Sequence, residues 1–368
     1  MNKRVKDSFL LLLRMGLWGA GKEHLSIFPL SKSEWTLVYE VSLSQTVEGI
    51  VYEGMLLLPN EYYPPYEILL RWTAKIDSIE RYNKKVRNTL AKLTQGFSKS
   101  NIQYVLLKGI GLAENYEKPL LRVSGDIDLC FRDKEAYDTA NSLLKSKGYN
   151  INKGDHHSVF YTFNSIEVEH HTNMIDIFNP FKQQFIKELI IDEEKYSKSI
   201  VIEGQCVHIP SYTLNHVQAN AHILKHYIGF GIGLRQICVI ARLCNVKEES
   251  FDGQKLKNIY AKLGMKKWMN VMHNLLVKDL GLDSSRLPYP LDSDYNTSSI
   301  LNDILHSGNF GFHDVRYREV DAPLSERYYK RDKAYKRILP HLVKLIRLIP
   351  SEVFWYPLNK YLSRLTNN

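Results

Sequence analysis

The chain has 368 residues, of which 44% are hydrophobic and 24% charged, with abundant aromatics; this excludes a disordered or low-complexity protein and allows two or three structural units with a substantial core. A formal net charge of +9 is compatible with a polyanionic partner (nucleotide, nucleic acid or anionic lipid) and equally with a plain solvated basic surface. Four cysteines, Cys130, Cys206, Cys238 and Cys244, form no CxxC pair, which excludes a zinc ribbon and a disulfide scaffold and fits reduced thiols in a cytoplasmic protein.

At the N-terminus Lys3, Arg4 and Lys6 precede an apolar run, Phe9 to Leu13, that Arg14 interrupts after five residues. That is too short for a secretory leader and reads as an amphipathic helix of the folded protein. No stretch approaches the ~20 apolar residues of a membrane span. Residues 1–97 are expected to be helical, with a loop at Pro59, Pro64 and Pro65. The clearest helix runs from Tyr66 to about Ser98, where Ile68, Leu69, Trp72, Ile76, Ile79, Tyr82, Val86, Leu90 and Leu93 recur at three- and four-residue steps. Near Asn101 the pattern changes. Residues 102–107 are a short continuous apolar run that predicts a buried strand. A short helix over 110–116, a turn at Pro119 and a second strand over 122–131 follow. A helix over 134–147 closes at Gly148, and two strands, 158–163 and 166–171, form a hairpin around Asn164-Ser165. After Pro210 the helical period returns with Leu214, Val217, Ala221, Leu224 and Ile228, and the remainder is mostly helical and basic. The expected organisation is an α+β core over 98–205, with a small mixed β-sheet, flanked by an N-terminal helical region (1–97) and a C-terminal helical, basic region (206–368).

Alternate side chains of a strand share a face. Asp126 and Asp128 in the run Gly125-Asp126-Ile127-Asp128-Leu129 are therefore expected to project together, with Ile127, Leu129 and Phe131 turned into a core. Two adjacent acids repel each other and resist burial unless a cation compensates. Oxygen ligands of this kind suit Mg²⁺, with Mn²⁺ as the other choice, and such ions also take phosphate oxygens. In Ile166-Glu167-Val168-Glu169-His170-His171 the same alternation groups Glu167, Glu169 and His171. Either glutamate would complete a three-carboxylate cage if the two strands are neighbours, and two metals in such a cage can clamp an in-line phosphoryl or nucleotidyl displacement. Lys108-Gly109 closes the first strand and opens a short helix: glycine lets backbone amides approach a phosphate, and lysine supplies a mobile positive charge.

The segment Leu106-Leu107-Lys108-Gly109-Ile110-Gly111-Leu112, then Arg122, then Ser124-Gly125-Asp126-Ile127-Asp128-Leu129, resembles the uncharacterised nucleotidyltransferase family of bacteria, within the polymerase-β-like superfamily. That family reads LKG, a short helix, R-x-x-GDIDLL, and then a strand with acid-x-His, matched by Glu169-His170-His171. Pro210, His216, His222, His226 and Gly231-Ile232-Gly233-Leu234-Arg235 resemble its helical region, although Val239 stands where members often have Asp. Lys108-Gly109 replaces the superfamily's usual Gly-Ser pair, a variant shared with nucleotidyltransferase-like toxins. The resemblance is tight over about residues 104–131 and looser elsewhere. It implies a nucleotidyltransferase core, Mg²⁺, a nucleoside triphosphate donor, with ATP binding as the expectation, and a hydroxyl acceptor; it names neither the base nor the acceptor. Asp126, Asp128 and Glu169 would be the catalytic metal ligands; Lys108, Gly109, Ser124 and Arg122 would serve the nucleotide. Its alternatives are a toxin-like enzyme acting on RNA, such as a tRNA end, and a non-catalytic nucleotide-binding scaffold.

Other features are less specific. His222 and His226 share a helix face, but without the HExxH glutamate they suit structural hydrogen bonds or a cleft lining better than zinc. Arg235 fits a phosphate contact or a buried ion pair equally, and Arg122 fits the turn before the Asp strand better than a contact with the triphosphate. Asp176 is a further alternating acid, ranked below the glutamates. The stretch from Arg327 to Arg337, with its interleaved tyrosines, and the amphipathic segment after it suit an RNA partner, a peripheral anionic membrane contact or packing on the core.

Overall fold

A computed structural model describes residues 1–20, 22–154, 158–229, 231–246, 248, 251–314 and 335–366. The chain divides into two compact units: one comprises Met1–Ala74, Ile177–Gln184 and Asn220–Asn368, the other Lys75–Asp176 and Phe185–Ala219.

The first unit is helical. It opens with α1 (Lys3–Trp18), started by the Asn2 side chain, which accepts from the Val5 amide, and largely buried from Ser8 to Leu13. Then come α2 (Lys32–Ser44) and α3 (Glu48–Leu56). α1 and α3 cross with backbone against backbone: a Cβ added at Gly16 would lie 1.8 Å from the Ile50 carbonyl oxygen, and one at Gly54 1.8 Å from that of Leu12. Glycine at both positions is what allows this approach. The chain then enters α4 (Tyr66–Lys99), a 34-residue helix whose residues from Lys75 onward belong to the second unit.

The second unit carries the sheet. Its strands are β1 (Tyr104–Leu107), β2 (Ile127–Phe131), β3 (Asn152–Lys153), β4 (Val159–Phe163) and β5 (Ile166–His171). They lie in the order β1-β2-β5-β4-β3, and β2 with β5 is the parallel pair of this otherwise antiparallel sheet. Between β1 and β2 sits α5 (Gly109–Ala113), and after β2 comes α6 (Lys134–Ser146), capped by Asp133. After α7 (Gln183–Glu194), a separate hairpin pairs β6 (Lys198–Ile202) with β7 (Gln205–Ile209). One face of the main sheet meets Val86, Leu90, Leu93 and Phe97 of α4 and Ala140 and Leu144 of α6, burying Leu106, Ile127, Leu129, Phe131, Ile166 and Val168. Summed over such a cluster, the removal of apolar area from water is the main force holding the sheet to its helices.

The strand expected over 122–131 begins only at Ile127, so Asp126 lies just ahead of it. The cause is visible in the backbone accounting. β1 is only four residues long and pairs with Asp128 through Phe131, so on that side the residues before Asp128 have no ladder partner. Their carbonyls are taken by α4 instead: Asn83 Nδ2 donates to the carbonyls of Leu120 (2.6 Å) and Arg122 (2.8 Å), and the Tyr82 hydroxyl to that of Gly125 (3.2 Å).

The remaining α-helices among the described residues are α8 (Tyr212–Gly229), which passes from the second unit into the first, then α9 (Leu234–Asn245), α10 (Gly253–Leu263), α11 (Lys266–Lys278), α12 (Ser298–Ser307), α13 (Tyr335–Leu345) and α14 (Pro350–Thr366). No helix among the described residues is long and apolar enough to cross a membrane. Residues 327–334 of the basic, tyrosine-rich stretch lie outside the described residues. Beyond them, Leu342, Leu345 and Ile349 are buried.

Candidate metal centre

The parallel pairing sets Asp128 of β2 directly opposite Glu169 of β5, and Cys130 opposite His171. Alternation does the rest. Ile166, Val168 and His170 turn into the core, while Glu167, Glu169 and His171 stand on the other face with Asp128. His171 Nε2 lies 2.8 Å from Asp128 Oδ1 and 3.6 Å from Glu169 Oε2. One ligand atom from each of Asp128, Glu169 and His171 falls within 4.8 Å of the others.

Lys108 closes the arrangement. It follows β1 in a left-handed conformation, φ 36° and ψ −141°, which is costly for a residue with a Cβ and is held by the surrounding structure. Because Leu107 pairs with Asp128, the next side chain reaches the carboxylate: Lys108 Nζ is 3.0 Å from Asp128 Oδ1. Burial alone would push Asp128 upward, but the Lys108 ammonium and the His171 hydrogen bond outweigh it and hold the carboxyl far below the usual range. Burial likewise opposes the charge on Lys108, and Asp128 and Asp126 outweigh it, so the lysine stays protonated.

Asp126 is not one of the three groups drawn together. It lies close enough to feel them: the Asp128 charge first, then burial, push it up to about 6 against the pull of Lys108. Glu167, more exposed, is also held above its usual value by desolvation and the charges of Glu169 and Asp128. Several carboxylates thus crowd one sheet face around a single lysine. The donor set of two carboxylate oxygens and an imidazole nitrogen, one of the acids buried, fits a divalent cation.

The other expected residues surround this face. Gly109 follows Lys108 with φ 43°, and a Cβ on it would come 3.7 Å from the Asp126 carbonyl oxygen. Ser124 is partly buried in the loop before Asp126. Arg122 is 8% exposed, and its Nε and Nη1 have no hydrogen-bond partner. Burial lowers its pKa, while Tyr116, Asp126 and Asp128 pull the other way, so it sits within the field of the carboxylates. Buried donors nearly always have partners, and orphaned ones need a reason such as an absent ligand. Asp176, partly buried, acts on Cys130, whose thiol is pushed up to about 12 first by burial and then by that charge.

The two adjacent histidines have opposite surroundings. His170 is fully buried, with Nδ1 2.8 Å from Asn141 Oδ1 and Nε2 3.0 Å from the Tyr161 hydroxyl. Burial, then His171, push it down to about 3 and keep it neutral. His171 belongs to the acid face, a place that its spacing of two from Glu169 signalled although it was not among the expected ligands. In the helical unit, the rings of His222 and His226 lie 4.4 Å apart and that of His226 4.7 Å from Phe310. Arg235 in the same unit reaches Asn309 Oδ1 at 3.5 Å and stacks on Phe310.

A family model described as uncharacterised nucleotidyltransferase matches residues 31–276 of this chain. Among solved structures, the chain is similar to an antigenic nucleotidyltransferase-like protein from Paracoccidioides brasiliensis, with 18% identity over 54% of this chain and 93% of that one and a TM-score of 0.35. No curated protein matches.

Proposed function

The chain belongs to the uncharacterised nucleotidyltransferase family, and from that membership we propose that it moves a nucleoside monophosphate from a nucleoside triphosphate to a hydroxyl-bearing acceptor with release of pyrophosphate. The observation that supports this best is the in-register pairing of Asp128 with Glu169, which sets two carboxylates side by side on one sheet face. In this reading Asp126, Asp128 and Glu169 hold Mg²⁺ or Mn²⁺. When bound, such ions acidify the attacking hydroxyl and neutralise charge gathering on the leaving pyrophosphate.

The chain's own groups do the remaining work. Glu169 takes the hydroxyl proton as the acceptor oxygen bonds to the α-phosphorus, and the bond to the β-phosphate oxygen breaks with its electron pair leaving on pyrophosphate. Lys108 balances the carboxylates and presents an ammonium to any phosphate oxygen brought to Asp128. Arg122 offers its orphaned donors to the triphosphate, which enters through the Gly109 amide and Ser124. The arrangement contributes chiefly by positioning and by charge neutralisation.

Calorimetry with each nucleoside triphosphate, with and without Mg²⁺, on the wild type and on an Asp126→Asn/Asp128→Asn variant tests the reading, followed by transfer of label from the α-phosphate. Metal-dependent binding that the variant loses is the expected result. A well-folded variant that binds and transfers as the wild type does would refute it.

A further inference from the structure

We infer that His171 is a direct ligand of the divalent cation, and that its nitrogen gives this centre a preference for Mn²⁺ over Mg²⁺. The inference rests on the reading of the Asp128–Glu169 face as a cation site and goes beyond its all-carboxylate ligand set.

Three observations carry it. First, the position: β5 delivers Glu169 and His171 to the same face, two residues apart, with Glu169 in register with Asp128. Second, the spacing: two ligands at right angles on an ion with bonds of about 2.1 Å lie ~3 Å apart, and two opposite ones ~4 Å. His171 Nε2 stands 2.8 Å from Asp128 Oδ1 and 3.6 Å from Glu169 Oε2, close to the edges of such a coordination sphere. Third, the division of labour between neighbours: both ring nitrogens of His170 are committed to Asn141 and Tyr161, whereas His171 offers its Nε2 to the acids.

The donor chemistry then selects the metal. Mg²⁺ takes hard oxygen ligands and gives up water reluctantly, whereas an imidazole nitrogen beside carboxylates is better suited to a first-row transition ion that also accepts phosphate oxygens. Mn²⁺ meets both demands.

A competing role for His171 is that of a positioning residue, hydrogen-bonded to Asp128 without touching the ion. The test separates the two. Full-length protein is titrated with Mn²⁺ alone, and bound ion is read by electron paramagnetic resonance; Mg²⁺ is titrated in competition. Wild type, His171→Asn, His171→Asp and Asp128→Asn are compared after their fold is checked by circular dichroism. Pulsed measurements on wild-type protein grown with ¹⁵N-histidine look for a histidine nitrogen coupled to Mn²⁺, which keeps the question answerable even where a variant fails to fold.

The expected result is a histidine-nitrogen coupling in the wild type, absent in His171→Asn, with Mn²⁺ binding at least tenfold weaker in that variant and Mg²⁺ binding changed less. His171→Asp should narrow the preference by restoring an oxygen ligand. Bound Mn²⁺ without a histidine-nitrogen coupling, or His171→Asn binding Mn²⁺ within twofold of wild type while Asp128→Asn loses it, overturns the inference and leaves the cation site standing. A wild type that binds neither ion overturns both.

Discussion

Replacing Lys108 by methionine removes one charge from the centre and little else. The stem keeps a similar length, and φ 36° is as unfavourable for methionine as for lysine, so the backbone strain is unchanged. At 3.0 Å from Asp128 Oδ1, the ion pair has a Coulomb energy of about 5 kcal/mol at an effective dielectric of about 20. The lysine side chain is 21% exposed and the aspartate 2%, so part of the attraction is already offset by water, and His171 remains as a second partner of the same oxygen. A loss of about 3 kcal/mol is therefore expected for Lys108→Met, at the lower end of what breaking a buried pair costs. Urea unfolding at neutral pH without divalent cations measures it. Asp128→Asn and the double variant complete a cycle, in which the lysine should matter by less than about 1 kcal/mol once Asp128 is uncharged. Adding Mn²⁺ should restore stability to Lys108→Met, because an ion replaces the missing charge. Unchanged stability in Lys108→Met, or strict additivity in the cycle, would refute the claim that this lysine balances the carboxylates.

His273 on α11 is 1% exposed, its ring nitrogens have no hydrogen-bond partner, and burial, against a weaker pull from Asp292, lowers its pKa to about 4. The unfolded chain, with an imidazole near 6.5, binds more protons in the window between those values, so stability present above about pH 6.5 is lost as pH falls through 4, by about 3 kcal/mol in full; His273→Phe should flatten that slope in unfolding curves recorded from pH 7 to 4. Gly54→Ala drives a Cβ to 1.8 Å from a backbone oxygen of α1 and should cost ~3 kcal/mol or more in thermal or urea unfolding. Gly96→Ala, with nothing within 4 Å in α4, should instead stabilise by up to ~1 kcal/mol.

Local periodicity made several elements legible. The three- and four-residue steps from Ile68 to Leu93 mark α4, which spans Tyr66–Lys99, and the alternation in β5 separates Glu169 and His171 from His170. Asn164-Ser165 reads as a turn, and both residues have positive φ, 51° and 59°. What could not be read is set by distant partners. β2 starts at Ile127 because Tyr82 and Asn83, some forty positions earlier, claim the carbonyls before it. The parallel union of β2 with β5 joins strands separated by a helix and a hairpin, and no residue in either announces it. Lys108 meets Asp128 because β1 is antiparallel to β2 with Leu107 opposite Asp128, so a lysine read as facing a nucleotide is also the counter-ion of the acids.

The hairpin between β4 and β5 sits at the opposite end of β5 from His171, yet it fixes which side chains join Asp128. Its two-residue loop pairs Phe163 with Ile166, and from there every residue of β5 is counted off to one side of the sheet or the other. Adding or removing one residue in that count would exchange His170 with His171, sending an imidazole that meets Phe131 edge-on at 4.6 Å toward the acids and the acid-facing one into the aromatic core. The loop can therefore vary in chemistry so long as it keeps its length and its left-handed pair, while the histidine doublet downstream is constrained in two different ways: at 170 by a buried ring whose two nitrogens bond Asn141 and Tyr161, at 171 by a nitrogen that faces the acids.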